Sequence, residues 1–254
     1  MATLFYNFGD FPAAFLNPGD VISAKPGFPE VCISAFSEKI IGNMAKLRGV
    51  KTIAYLCSEN GELPVYSIEY KGKEIAFYLS RVGAPACVVG LEEVIAMGAK
   101  KFVLFGSCGV LDEEAVRGKI VVPISAVRDE GTSYHYIPAS EEIEADRNCI
   151  NILKECLEIL GYPYVEGKTW TMDALYRETS RLIEERKQQG CLVVEMESSA
   201  AYAAARFRNV PMIQFLYGAD SLDSETWEQR NLLAYSAEEC GGYAKLALEC
   251  AVRL

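Results

Sequence analysis

Apolar residues fall along this chain in two alternating rhythms: short runs of β-branched and aromatic residues, and longer stretches in which apolar positions recur every third or fourth residue. That alternation predicts strands interleaved with helices. Residues 31–35 read as the first strand, and Ser37 is placed to cap a helix that reaches about Leu47 and stops at Gly49. Residues 52–56, 65–70 and 74–79 are strand-like, with Asn60-Gly61 and Lys71-Gly72 supplying turn chemistry between them. Pro85 opens a helix that carries Val88, Leu91, Val94 and Ile95 on one face and ends at Gly98, and residues 101–105 follow as a strand.

Further on, strands are expected at 119–122 and 125–128, a helix at 141–160, an extended run at 164–170 and a helix at 178–189. A strand at 211–217 and a closing amphipathic helix at 236–254 complete the pattern. Strands alternating with helices imply a mixed or parallel sheet covered on both faces, hence an α/β fold: a three-layer α/β/α sandwich with a central mixed sheet. No Pro/Gly/Ser-rich linker or repeat divides residues 1–254, which read as one domain.

In such a sheet ligands sit outside the carboxyl ends of strands, so the junctions there are the places to look for chemistry. The leading one is 191–202, where a buried-looking strand runs into an alanine-rich helix with Glu195 and Glu197 flanking Met196. An acidic first helical turn, favoured by the helix dipole, is the simpler account of those carboxylates. Gly106-Ser107-Cys108-Gly109 follows a strand and permits close backbone approach to an anion, or is an ordinary tight turn. Ser80-Arg81-Val82-Gly83-Ala84-Pro85 joins a strand to a helix N-terminus, with an arginine at hand for an anion. Asp220 ends a further strand, where it serves either as a proton donor to a leaving group or as a turn cap.

Composition narrows the classes. A net charge of −10 excludes a nucleic-acid backbone as the natural partner, while leaving room for a small anion in a locally positive pocket. Nine cysteines without Cys-x-x-Cys spacing and a single histidine, His135, predict reduced, packed thiols and no metal site. No apolar run is long enough to span a bilayer, and Met1 to Asn7 lack the features of an export signal, so no membrane partner and a cytoplasmic location are expected.

Taken in order, these junctions resemble the nucleoside phosphorylase family that includes uridine phosphorylase and the hexameric bacterial purine nucleoside phosphorylase. Val194-Glu195-Met196-Glu197-Ser198 is similar to that family's ribose-binding signature, Pro18-Gly19-Asp20 to its N-terminal turn, Gly83-Ala84-Pro85 to its Gly-Gly-Pro step and Gly106-Ser107-Cys108-Gly109 to its phosphate turn. Residues 127–136 and 168–177 look closer to the uridine phosphorylase branch. The resemblance implies a transferase that converts a nucleoside and inorganic phosphate to free base and ribose 1-phosphate, with no further cofactor, as a homo-oligomer (dimer or hexamer); the apolar closing helix, which must find cover, is expected to gain it from a partner subunit.

By the same resemblance Glu197 is catalytic and accepts hydrogen bonds from the ribose hydroxyls, with Met196 packed on the sugar and Glu195 at the pocket wall. Gly19, Ser107 and Arg81 hold phosphate. Tyr176 and Arg181 contact the base, and Asp220 is the acid that protonates a purine leaving group; Arg181 corresponds to an arginine aimed at uracil. Three positions depart from the family pattern: its phosphate-binding arginine is Leu104 here, only Lys25 stands near the second one, and its uracil-reading glutamine falls near Thr179. Arg81, Lys25, Arg128, Arg177 and a neighbouring subunit are the candidate sources of the lost charge. A hydrolase using water, a non-catalytic nucleoside-binding protein and a thiol hydrolase built on Cys108 and His135 are the competing readings.

Overall fold

The structure, a computed structural model, describes residues 14–232 and 234–254. Met1 to Asn7, read above for export signals, lie outside them. The elements in chain order are α1 (Pro18–Val21), β1 (Val31–Ala35), α2 (Glu38–Ala45), β2 (Lys51–Ser58), β3 (Gly61–Tyr70), β4 (Lys73–Leu79), α3 (Ala84–Met97), β5 (Lys101–Val110) and α4 (Glu113–Val116). They continue as β6 (Ile120–Asp129), β7 (Glu142–Glu144), α5 (Arg147–Leu160), β8 (Tyr164–Met172), α6 (Ser180–Gln188), β9 (Cys191–Glu195), α7 (Ser198–Phe207), β10 (Met212–Ser221) and α8 (Ala237–Arg253). Single 3-10 turns occupy Thr132–His135 and Leu175–Arg177.

All ten strands join one mixed sheet in the order β10-β6-β8-β9-β5-β1-β4-β3-β2, with β7 on β6. Because β5 also pairs with β10, the strands β5, β10, β6, β8 and β9 close into a ring from which β1, β4, β3 and β2 extend as an open wing. Lys71 and Gly72, both at positive φ (49° and 77°), make the β3–β4 turn that matches strand twist.

The three layers follow from side-chain alternation along the strands. On β1, Val31, Ile33 and Ala35 pack with α2, α5 and α8, whereas Cys32 packs with α3 and α7. On β5, Val103 and Phe105 join the first core, and Phe102 and Leu104 the second. Cys108, Val121, Val193 and Leu216 fill the ring. Truncating a core leucine or phenylalanine to alanine costs about 2–5 kcal/mol, so either core alone is large enough to set which face each strand turns inward.

Four expectations are corrected. Gly106-Ser107-Cys108-Gly109 is strand rather than turn: β5 continues through it because Gly106, Ser107 and Cys108 pair with Leu216, Tyr217 and Gly218, and Gly109 pairs with both Asp220 and Val194. The strands expected at 119–122 and 125–128 are one strand, β6, with an irregularity between Pro123 and Ser125 where the proline has no N–H to give. The helix expected from 141 starts at Arg147, since Glu142–Glu144 pairs with β6 and Asp146 caps the helix. Finally, the closing helix needs no partner subunit to cover it. Leu246, Ala247, Cys250 and Ala251 of α8 are buried in the first core of the same chain.

Candidate active site

Four of the junctions singled out in the sequence meet beside the end of β5. β9 runs antiparallel to β5, with Gly109 opposite Val194, so the next step along the register brings Glu195 beside Cys108, on whose thiol its charge acts, and the chain then turns into α7 at Glu197. On the other side of β5, β10 places Asp220 opposite Gly109. The β4–α3 junction closes the site, because the Gly83 N–H donates to Glu197 Oε1 at 2.6 Å. Gly83 sits at φ 96°, a conformation that favours glycine. Glycines at 106 and 109 are required by packing: a Cβ would lie 2.7 Å from Phe36 Cδ2 at the first and 2.6 Å from Leu222 Cδ1 at the second.

The two glutamates are both buried but differently satisfied. Glu195 Oε1 accepts from the hydroxyls of Thr169 (3.2 Å) and Thr171 (2.7 Å), and Oε2 from the backbone N–H groups of Glu197 (2.8 Å) and Ser198 (2.7 Å). Four donors saturate a carboxylate, so Glu195 has no acceptor position left for a sugar hydroxyl. It is a positioning residue that anchors the start of α7 and the backbone of Glu197. Burial, and then the charge of Glu195, pushes the Glu197 carboxyl up to about 8. Burial raises Glu195 too, but its four donors favour the ionised form, so a proton kept by this pair near neutrality resides on Glu197. Met196 between them is half-buried, as a side chain packed at a pocket wall should be.

On the β10 side, Asp220 Oδ2 accepts from the Trp227 indole N–H at 2.7 Å. Trp227 is held there by a short loop pinned at its base, where Ser221 and Glu228 exchange backbone hydrogen bonds of 2.9 and 3.0 Å. Tyr176 and Arg181, expected at the base, are both exposed to solvent. Tyr176 is 92% exposed in its 3-10 turn. Arg181 is 84% exposed and sits 3.6 Å from Glu185; α6 packs through Leu182 and Ile183, which rotates the preceding position outward. The nearby Thr179 caps α6 by accepting from Leu182 N–H.

The phosphate-side expectations divide. Ser107 is half-buried on β5, and its hydroxyl has no protein partner among the described residues. Gly19 is exposed on α1. Arg81 is directed elsewhere: its guanidinium donates to Gly61 O at 3.0 Å, at the β2–β3 turn on the wing side of β4, and its charge acts on Glu93. Leu104 lies in the core under α3 and α7, where an arginine would need a partner the apolar neighbours do not offer. Arg128 is buried in its own network with Ser133 Oγ (2.8 Å), Pro138 O (2.8 Å) and Ser140 Oγ (2.7 Å). Lys25 is exposed.

The thiol-hydrolase reading fails on chemistry: burial pushes the Cys108 thiol well up, aided by the charges of Glu195 and Asp220, and His135 is exposed in its 3-10 turn. All nine cysteines are unpaired and only Cys57 is exposed. Among the described residues no group of His, Cys, Asp and Glu side chains is arranged to hold a metal ion, and no helix is long and apolar enough to cross a membrane.

Sequence reasoning missed the supports of the site. Thr169 and Thr171 face the same side of β8, an alternation visible in the chain but without a stated partner. Glu130 is buried between the Ser133 N–H (2.9 Å) and the Ser199 hydroxyl (2.8 Å), tying the 132–135 turn to α7. Gln214 donates to Ser198 Oγ at 2.7 Å from β10.

Comparison with known proteins places the chain among phosphorylases. A guanosine phosphorylase of Halorubrum lacusprofundi is 24% identical over 197 residues, which cover 77% of each chain. A uridine phosphorylase of Thermococcus kodakarensis is 29% identical over 157 residues, 57% of each chain. Among solved structures, uridine phosphorylase from Vibrio fischeri superposes with a TM-score of 0.74 at 23% identity, over 92% of this chain and 99% of that one, and shares the fold. The model of the family described as "Phosphorylase superfamily" matches residues 31–249, and the chain belongs to that superfamily.

Proposed function

We propose that the protein cleaves the glycosidic bond of a nucleoside by phosphorolysis, giving free base and ribose 1-phosphate. The observation that carries this reading is Glu197: a buried carboxylate in a protein of the phosphorylase superfamily, fixed at its own backbone by Glu195 and at Oε1 by Gly83. One phosphate oxygen bonds C1′ as the bond from C1′ to the base breaks and its electron pair leaves with the base. The ribose passes through an oxocarbenium-like state, so Glu197, which holds its proton near neutrality, attracts the transition state more than the ground state in its ionised form, and activity rises with pH as that form is populated. Met196 packs on the sugar. Ser107, whose hydroxyl has no protein partner among the described residues, and the amides near it hold phosphate beneath C1′, so that the nucleophile arrives already oriented. We also infer a homo-oligomer, a dimer or hexamer: Phe15, Leu16, Tyr176 and Val82 are large apolar side chains left on the surface.

The test offers uridine, thymidine, inosine and adenosine to the purified protein with and without phosphate and separates the sugar products. Ribose 1-phosphate formed only with phosphate is the expected outcome; free ribose at the same rate without phosphate refutes phosphorolysis in favour of hydrolysis. Glu197→Ala should lower kcat by about a hundredfold or more with a smaller change in KM. Near-normal turnover in that variant removes Glu197 from the mechanism.

A further inference from the structure

The segment that joins β4 to α3 leaves the sheet with few ties. Its last backbone bond to the sheet runs from the Ser80 N–H to Ala35 O at 2.9 Å, and α3 begins where the Cys87 N–H donates to Gly83 O at 2.9 Å. Between them, residues 81–83 make two hydrogen bonds to other elements among the described residues. Arg81 donates to Gly61 O at 3.0 Å, and the Gly83 N–H donates to Glu197 Oε1 at 2.6 Å. The Ser80 hydroxyl bonds Arg81 O at 3.3 Å, which ties the segment only to itself. Val82 is 63% exposed, so packing does little to fix the stretch between the two bonds.

Strand register explains why Arg81 finds that carbonyl. β3 and β4 pair with Val65 opposite Tyr78, and the same register carried past the strand ends brings Gly61 level with Val82, next to Arg81. The backbone ladder has ended there, and the guanidinium supplies the tie that one more ladder bond would have given. Its charge also acts on Glu93 of α3, one oxygen of which is buried without a hydrogen-bond partner. We infer that Arg81 is a positioning residue for Glu197: by tying the β4–α3 junction to the β2–β3 turn, it holds the Gly83 N–H on the carboxylate. The inference rests on the part given to Glu197 above.

A donor at a carboxylate favours its ionised form. Around Glu197, burial and the charges of Glu195 on β9 and Asp173 after β8 oppose ionisation, whereas the N–H groups of Gly83 and Met196 favour it. The Cys87 thiol of α3 also lies within electrostatic reach of Glu197. The Gly83 donor sits on a segment with one other outside tie, so cutting that tie lets Gly83 move off and leaves Glu197 protonated to a higher pH. The ionised form is the one the sugar cation needs, so turnover rather than substrate binding carries the loss.

The experiment compares the unmodified chain with Arg81→Ala, Arg81→Met, which keeps most of the apolar stem without the donor, and Arg81→Lys, which keeps a donor. The Glu197 carboxyl is titrated by the carboxyl carbon resonances of glutamate-labelled protein, assigned through their loss in Glu197→Gln. In parallel, kcat and the KM values for nucleoside and phosphate are followed against pH. In Arg81→Ala and Arg81→Met the Glu197 midpoint should rise by about half a pH unit. Near neutrality kcat should then fall about threefold with both KM values nearly unchanged, and Arg81→Lys should recover part of each effect. An unmoved midpoint in both donorless variants overturns the inference. A raised KM for phosphate with an unmoved midpoint overturns it too, and makes Arg81 a phosphate ligand instead. If no nucleoside is cleaved while the midpoint still moves, the phosphorolysis reading falls and the positioning of Glu197 by Arg81 stands.

Discussion

Glu195 and Glu197 are two positions apart, yet the first receives four hydrogen bonds and the second one from the Gly83 N–H, which gives them separate tasks. The motif that contains them was legible in the sequence as a strand-to-helix junction with paired acids. Their division of labour was not, because it is decided by Thr169 and Thr171, on a strand whose pairing with β9 is a tertiary event. The same limit explains Arg181, which matches a family position by sequence while the packing of Leu182 and Ile183 turns it to solvent. Replacing Glu195 with glutamine keeps the shape but sets an amide NH2 against donors on one side, leaving buried hydrogen-bonding groups unpaired at a cost of about 1–3 kcal/mol. Glu195→Gln should therefore lower the unfolding free energy by that amount, read as a lower urea midpoint at unchanged m. It should also remove the charge that raises Glu197, so the pH at which activity rises moves to the acid side. An unchanged activity profile would show that the two carboxyls do not communicate.

Local caps and turns account for most element ends that the sequence placed well. Ser37 accepts from Ile40 N–H at the start of α2, Gly98 ends α3, and Ser236 forms a capping box with Glu239 at the start of α8. Where the sequence misplaced an element, a non-local partner decided the outcome: Glu142–Glu144 is drawn into the sheet by β6, although its polar-apolar-polar pattern also suits a helix start. Asp146 then takes the cap, accepting from the N–H groups of Asn148 (2.7 Å) and Cys149 (3.1 Å). Removing that acceptor exposes two of the otherwise unpaired donors of α5, so Asp146→Ala should cost about 1 kcal/mol in urea unfolding, and Asp146→Asn or Asp146→Ser should recover most of it. A loss below a few tenths of a kcal/mol would mean that the pairing of β7, not the cap, fixes where the helix begins.

At the scale of the whole molecule, the wing-and-ring sheet brings the acidic ends of β9 and β10 to either side of the end of β5, in a chain whose net charge is already −10. That arrangement has a stability consequence with a definite sign. Glu197 is pushed up to about 8 and Glu178 to about 7, chiefly by burial, against an ordinary 4.5 in each case. Below the ordinary value both states of the chain are protonated at these positions, and the folded form is fully favoured. As pH rises through the window from 4.5 to about 8, the unfolded chain releases protons that the folded one still holds, so it binds fewer and folding stability falls. Each such group contributes a slope of at most about 1.4 kcal/mol per pH unit, less for Glu178 because it is partly open to solvent. Groups shifted the other way act lower on the scale. Lys71 and Tyr70 hold Glu249 below its ordinary 4.5, and that contribution is present above this value and lost only as pH falls through the folded one. Urea unfolding at about pH 5.5 and about pH 8 should therefore show greater stability at the lower pH, and Glu197→Gln, which carries no titrating proton, should flatten the difference and be the more stable protein at the higher pH. Equal slopes in the two proteins would place the Glu197 proton in solvent-like surroundings, and with it remove the electrostatic reason for a carboxylate whose ionisation is held back until a sugar cation forms beside it.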